Sequence, residues 1–126
     1  MKLFLRLCLL CLLARSGGAA TLVVDNSSGA PVGTFATWND AHTAASDGDV
    51  IWVKPGVYTE VVFCTKRLTW IGAGYFLRNH PDWSCGTASS VLGGGDVILS
   101  SGSGGSRFIG LVIGSANIQA PDVRFD

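Results

Sequence analysis

The chain has 126 residues, nine Lys and Arg against nine Asp and Glu, 48% hydrophobic and 14% charged residues, and seventeen glycines. That balance excludes a disordered chain, which needs low hydrophobicity and high net charge, and a strongly basic nucleic-acid binder. Abundant glycine with few helix-forming Glu, Lys and Gln points instead to a β-rich, turn-rich body.

Residues 1–20 read MKLFLRLCLLCLLARSGGAA. Lys2 and Arg6 supply positive charge, residues 7–13 a short apolar run, and Gly18, Ala19 and Ala20 small residues before a cut. This is the order of a secretory signal peptide. The run is shorter than the roughly 18–20 apolar residues that span a bilayer, and no later segment is long and apolar enough to do so. Leu10 before Cys11 argues against a lipoprotein. The expectation is a signal peptide over 1–20, a protein secreted or held at the cell surface, and a mature domain over 21–126. The mature part keeps six basic and nine acidic residues, a net charge of −3. Neither nucleic acid nor an anionic membrane is expected as a partner. Cys64 and Cys85 remain, in a compartment where disulfides persist.

Residues 21–25 (TLVVD) form a short β-branched strand ended by the turn cluster Asn26, Ser27, Ser28, Gly29. Phe35, Trp38, Ala41 and Ala45 then recur at spacings of three, three and four, one face of a helix. Thr37 caps its start, with Asp40 three residues on, and Gly48 is placed to stop it. From Asp49 onward the period is two. Strands are predicted over 50–53, 57–64, 68–71, 90–92, 96–100, 107–113, 117–119 and 123–125, punctuated by Gly, Pro and Ser. Pro55-Gly56 is read as a corner in which glycine takes positive φ. No connector between strands has the Asn-Gly or Asp-Gly pair of tight hairpins. Short strands without hairpins fit a parallel solenoid, with a sandwich or open sheet as the alternative. On that pattern Ile51, Val53, Val62, Cys64, Leu68, Trp70, Val97, Leu99, Ile109, Leu111, Ile113, Ile118, Val123 and Phe125 point inward.

The stretch from Phe35 through Gly48-Asp49-Val50-Ile51-Trp52-Val53-Lys54-Pro55-Gly56-Val57-Tyr58-Thr59-Glu60 to Lys66-Arg67-Leu68-Thr69-Trp70-Ile71-Gly72-Ala73-Gly74 resembles the N-terminal part of the pectin lyase-like superfamily. The likeness is weaker after Gly74, where residues 107–113 are similar to a later coil. It implies an all-β, right-handed parallel β-helix (solenoid) opening, truncated, with one N-terminal capping helix. It also implies that Tyr58 buries its ring while its hydroxyl bonds at the rim. Superfamily enzymes place their catalytic Asp, Arg, Lys or Gln on coils downstream of this opening, and no residue here matches one of those positions.

Candidate chemistry is sparse. Asp47 and Asp49 flank Gly48 with oxygen chemistry suited to Ca²⁺, but a helix end and a turn account for them. Asp96, Asp122 and Asp126 read as solvated turn carboxylates. His42 and His80 lack further ligands for zinc. Neither a catalytic residue nor a cofactor is assigned. A Cys64–Cys85 bridge would close a loop of about twenty residues and stabilise by roughly 3 kcal/mol, unless Cys64 is an inward free thiol. Trp52, Tyr75, Phe76 and Trp83 are the aromatic candidates for glycan contact. The functional expectation is a structural or carbohydrate-contacting secreted module with polysaccharide as its partner. The alternative is the N-terminal fragment of a polysaccharide lyase or esterase. An uncapped end predicts self-association.

Overall fold

The computed structural model describes residues 17–75 and 90–126. The leader expected over 1–20 falls mainly outside these residues, as do His80, Phe76, Trp83 and Cys85. The strands among the described residues are β1 (Thr21–Val24), β2 (Val50–Val53), β3 (Gly56–Tyr58), β4 (Val62–Cys64), β5 (Thr69–Gly72), β6 (Ser90–Leu99), β7 (Arg107–Ile109), β8 (Val112–Ile118) and β9 (Arg124–Phe125). An α-helix, α1, runs over Trp38–Ala44.

Every strand pair is parallel. The first sheet has the order β1-β2-β5-β7-β9. In the second, β3 and β4 both pair with β6, and β8 pairs with β6 as well. These are two open sheets, and they correct the expected right-handed β-helix solenoid. Strict solenoid coils repeat the same strands each turn. Here the ten-residue β6 supports two short strands at once, Gly56–Tyr58 through Ser90–Leu92 and Val62–Cys64 through Val97–Leu99. The β6–β8 register shifts between Leu92 and Asp96. Alternating residues reveal which side chains share a face, whereas sheet closure is a long-range property that alternation does not encode.

The core lies between the sheets and α1. Ile51, Trp70 and Phe108 occupy one inward row of the first sheet, joined in register, with Val24 and Val53 in the next row. Leu92, Val62, Val97, Cys64 and Leu99 supply the second sheet's inner face. Ile51, Val53, Val62, Cys64, Leu68, Trp70, Val97 and Leu99 are buried as expected. Ile109 is corrected: Phe108 is the buried residue of β7, so the face alternates one position out of the expected register. Leu111, Ile113 and Val123 are partly buried against the core, but Ile118 and Phe125 are 50% and 43% exposed. Both belong to the last strands of their sheets, where no described strand covers them.

Boundaries moved where turns interrupt the ladder. The expected 57–64 strand divides into β3 and β4, while the 90–92 and 96–100 segments merge into β6. The 107–113 segment divides at Gly110, whose φ is +62°. A Cβ at Gly110 would collide with the backbone of Tyr75, so this crossing of two chain segments requires glycine. Gly56 does not take the positive φ expected of it. Its role is close approach: a Cβ there would lie 2.6 Å from Asn26 Oδ1.

The helix begins as the capping pattern predicts. Asp40 N–H donates to Thr37 Oγ1 at 3.1 Å, and Thr37 Oγ1 donates to Asp40 Oδ2 at 2.7 Å. Trp38, Ala41 and Ala45 bury the apolar face. The helix ends at Ala44, with Ala45 extended and its N–H bonded to Ala41 O, so Gly48 belongs to the following turn, at φ +92°.

Candidate functional site

The densest group of polar side chains surrounds α1. Glu60, between β3 and β4, accepts the N–H of Trp38 at 2.7 Å and of Asn39 at 3.2 Å. A carboxylate there satisfies free helix-start donors and complements their partial positive charge. At the other end Lys66 Nζ donates to the carbonyls of His42, Thr43 and Ala45 at 2.8, 3.0 and 2.7 Å. Oppositely charged residues from the β4 neighbourhood thus clamp both ends of the helix.

Between those clamps the helix replaces a strand. Asn39 Nδ2 donates to Val61 O at 2.8 Å, and Phe63 N–H points to Asn39 Oδ1 at 3.4 Å. Thr65 N–H donates to His42 Nε2 at 3.1 Å. Nearby, Asn26 Nδ2 donates to Val57 O at 2.9 Å. Side-chain amides and an imidazole therefore satisfy the outer edges of β3 and β4, an edge that otherwise invites pairing with another chain. The outer edge of β1 is met by Phe35, which donates N–H to Val23 O and accepts from Asp25 N–H, both at 2.8 Å.

His42 accepts through Nε2 and is therefore neutral at that nitrogen. Burial first, and the Lys66 ammonium second, hold its pKa below the ordinary value. Tyr58 buries its ring and donates its hydroxyl to Lys54 O at 3.1 Å, as expected. Burial pushes its pKa up. Cys64 is a fully buried free thiol, pushed up to about 12 by desolvation. Among the described residues it forms no bridge, and Cys85 lies outside them.

Of the carboxylates singled out by sequence, Asp47 and Asp49 are spent on backbone, and Asp96 and Asp126 on side chains. Asp47 Oδ1 accepts Arg67 N–H at 3.0 Å; Asp49 accepts Ala20 N–H and Ser46 N–H at 2.7 and 2.8 Å. Asp96 accepts from Ser115 Oγ, and Asp126 pairs with Arg107 at 3.2 Å. No group of three or more His, Cys, Asp or Glu among the described residues is arranged to hold a metal. Sequence reading missed Asn39, Glu60 and Lys66 as partners. They meet across 21 to 24 residues, and no local pattern announces such pairings.

The remaining chemistry faces outward. Trp52 projects from the outer face of the first sheet, 38% exposed, in a row with Val23, Ile71 and Ile109. Tyr75 follows the end of β5 and is 40% exposed. On the second sheet Val57, Val91 and Val112 form one outward row, and Phe63, Ile98 and Asn117 another. Val57, Phe63 and Val112 are more than half exposed.

No family model, curated protein or solved structure matches the chain. None of these comparisons supports the resemblance to the pectin lyase-like superfamily that the sequence reading places over residues 35–74. No described helix is long and apolar enough to cross a membrane.

Proposed function

We propose that the chain is an exported module with a structural or carbohydrate-contacting role and no catalytic centre of its own. The observation that carries this reading is the outer surface of the parallel sheets. In-register rows present Trp52 on one sheet and Val57, Phe63 and Val112 on the other, all to water. Contiguous exposed apolar groups mark contact surfaces. Rows repeating at about 4.8 Å suit a partner that is itself a repeating polymer, and aromatic faces pack against the C–H faces of sugar rings. The engagement of Glu60, Asp47, Asp49, His42 and Lys66 with backbone groups supports the same reading, since those groups are committed to holding α1 and the turns.

The test is binding of the purified protein to a panel of soluble and insoluble polysaccharides, with product analysis on the same samples. Retention on at least one polysaccharide is expected, weakened about tenfold by Phe63→Asp or Trp52→Ala, in line with the worth of one buried aromatic contact. Absence of binding across the panel removes the carbohydrate role, and release of shortened or de-esterified product removes the non-catalytic one.

A further inference from the structure

Ala20 is bonded as part of the fold although it precedes β1. It accepts the N–H of Val50 at 2.9 Å and donates its own N–H to Asp49 Oδ1 at 2.7 Å. Asp49 is only 7% exposed, and its second oxygen accepts Ser46 N–H at 2.8 Å. No cation sits on it among the described residues, where the ion pairs are Lys54–Asp25 and Arg107–Asp126. A largely buried carboxylate is thus held by two neutral N–H donors, although burial of a charge normally calls for a countercharge. Gly17, Gly18 and Ala19, just ahead, are exposed, with no hydrogen bond among the described residues.

We infer that the chain is cut between Ala19 and Ala20, so that the α-ammonium group of Ala20 becomes the countercharge of Asp49. Ala20 as a terminus rests on reading residues 1–20 as an export leader. One water is consumed at the Ala19–Ala20 peptide bond, with catalysis by the peptidase of the export machinery. The released leader carries the Ala19 carboxylate, and the Ala20 amine takes up a proton. Ala19 and Gly17 place small residues first and third before this cut, as such a peptidase requires.

A cut after Ala20 meets the same rule with Ala20 and Gly18, and a cut after Gly18 meets it with Gly18 and Ser16, so the leader by itself leaves three sites. The cut after Gly18 keeps the Ala20 bonds but leaves the donor to Asp49 an uncharged amide. The fold separates them. Removal of Ala20 strips Val50 of its acceptor and Asp49 Oδ1 of its donor. Removal of only the residues up to Ala19 keeps both bonds and makes the Ala20 donor charged, which roughly doubles the strength of such a bond. Cleavage precedes folding, so the fold does not steer the peptidase; it shows which terminus the mature protein is built to hold.

The test is expression of the full chain in a secreting host, followed by intact mass and N-terminal sequencing of the exported protein. The expected mature sequence starts Ala20-Thr21-Leu22. A start at Ala19, at Thr21 or at any other residue near them except Ala20 overturns the capture of the Ala20 ammonium and leaves the leader reading standing. A chain retained in the cell with Met1 in place overturns both. In the exported protein, the Ala20 amine is expected to acylate about tenfold more slowly than in Asp49→Asn, a pKa raised by about one unit above the ordinary 7.7–8.0. Where Asp49→Asn does not fold, one glycine inserted before Ala20 moves the ammonium off Asp49 and serves the same comparison. Equal acylation rates overturn the ion pair.

Discussion

Lys66 and Glu60 show how single side chains decide the local structure here. Each reaches backbone groups of α1 more than 20 residues away, one binding the last carbonyls and the other the first N–H groups. His42, between them, carries a pH dependence. Its folded pKa is depressed below the ordinary 6.5 by burial and by Lys66, so the folded state binds its proton less readily than the unfolded chain. The stability this contributes is complete above the unfolded pKa, and it is lost as pH falls through 6.5 and past the folded value. Thermal unfolding between pH 7.5 and 5.0 is therefore expected to show a falling midpoint. In His42→Gln, whose amide oxygen also accepts the Thr65 N–H and does not titrate, the fall is expected to be smaller. An identical fall in both proteins would rule out His42 as its source. The Cys64 thiol, by contrast, stays protonated throughout this range and behaves as a small apolar group.

At the scale of elements, the short helix does the work of an edge strand. Seven residues are too few to be stable alone, so α1 persists through its clamps and its buried face. Asn39 is the test of this role, because it meets Val61, Phe63 and Glu60 together. Asn39→Ala is expected to destabilise by about 2 kcal/mol, from several hydrogen bonds each worth about 0.5–1.5 kcal/mol net. Asn39→Asp is expected to cost at least as much, since a carboxylate cannot donate to Val61 O and repels Glu60. Urea titration of the three proteins checks both outcomes; a cost below about 0.5 kcal/mol for Asn39→Ala would show that β4 does not need the plug. The capping of α1 by Thr37 and Asp40 was legible in the sequence because both residues lie within one turn. The plugging of β4 was not, because Asn39 reads locally as an ordinary polar position on the outward side of the helix.

At the scale of the whole molecule, the two ends differ. One end is sealed by Phe35, Asn26, Asn39 and His42. From the sealed end a column of rings runs through the core, Trp38 on Trp70 at 5.2 Å, Trp70 by Phe108 at 6.0 Å and Phe108 on Phe125 at 5.0 Å. At its far end Phe125 in β9 and Ile118 in β8 are about half exposed, on strands that no described strand covers. Unpaired edge groups with apolar neighbours favour association. The protein is therefore expected to self-associate with rising concentration, and Phe125→Lys to weaken that association roughly tenfold, since burying one aromatic is worth about 1.5–3 kcal/mol. Sedimentation velocity over a concentration series checks both; a concentration-independent monomer before substitution would dismiss the expectation.

The sequence by itself determined the β-rich character of the chain, the amphipathic helix at Trp38–Ala44 with its Thr37 cap, and the burial of Ile51, Val53, Val62, Cys64, Trp70, Val97 and Leu99. Each of these follows from residues within a few positions of one another, where periodicity, capping and turn chemistry act. Only the tertiary structure decided that the sheets stay open, that β6 serves two partners, that Phe108 rather than Ile109 faces the core, and that Asp49, Glu60 and Lys66 are committed to distant backbone groups. Those outcomes depend on register and on contacts between segments tens of residues apart, which become fixed only when the sheets and the helix pack together.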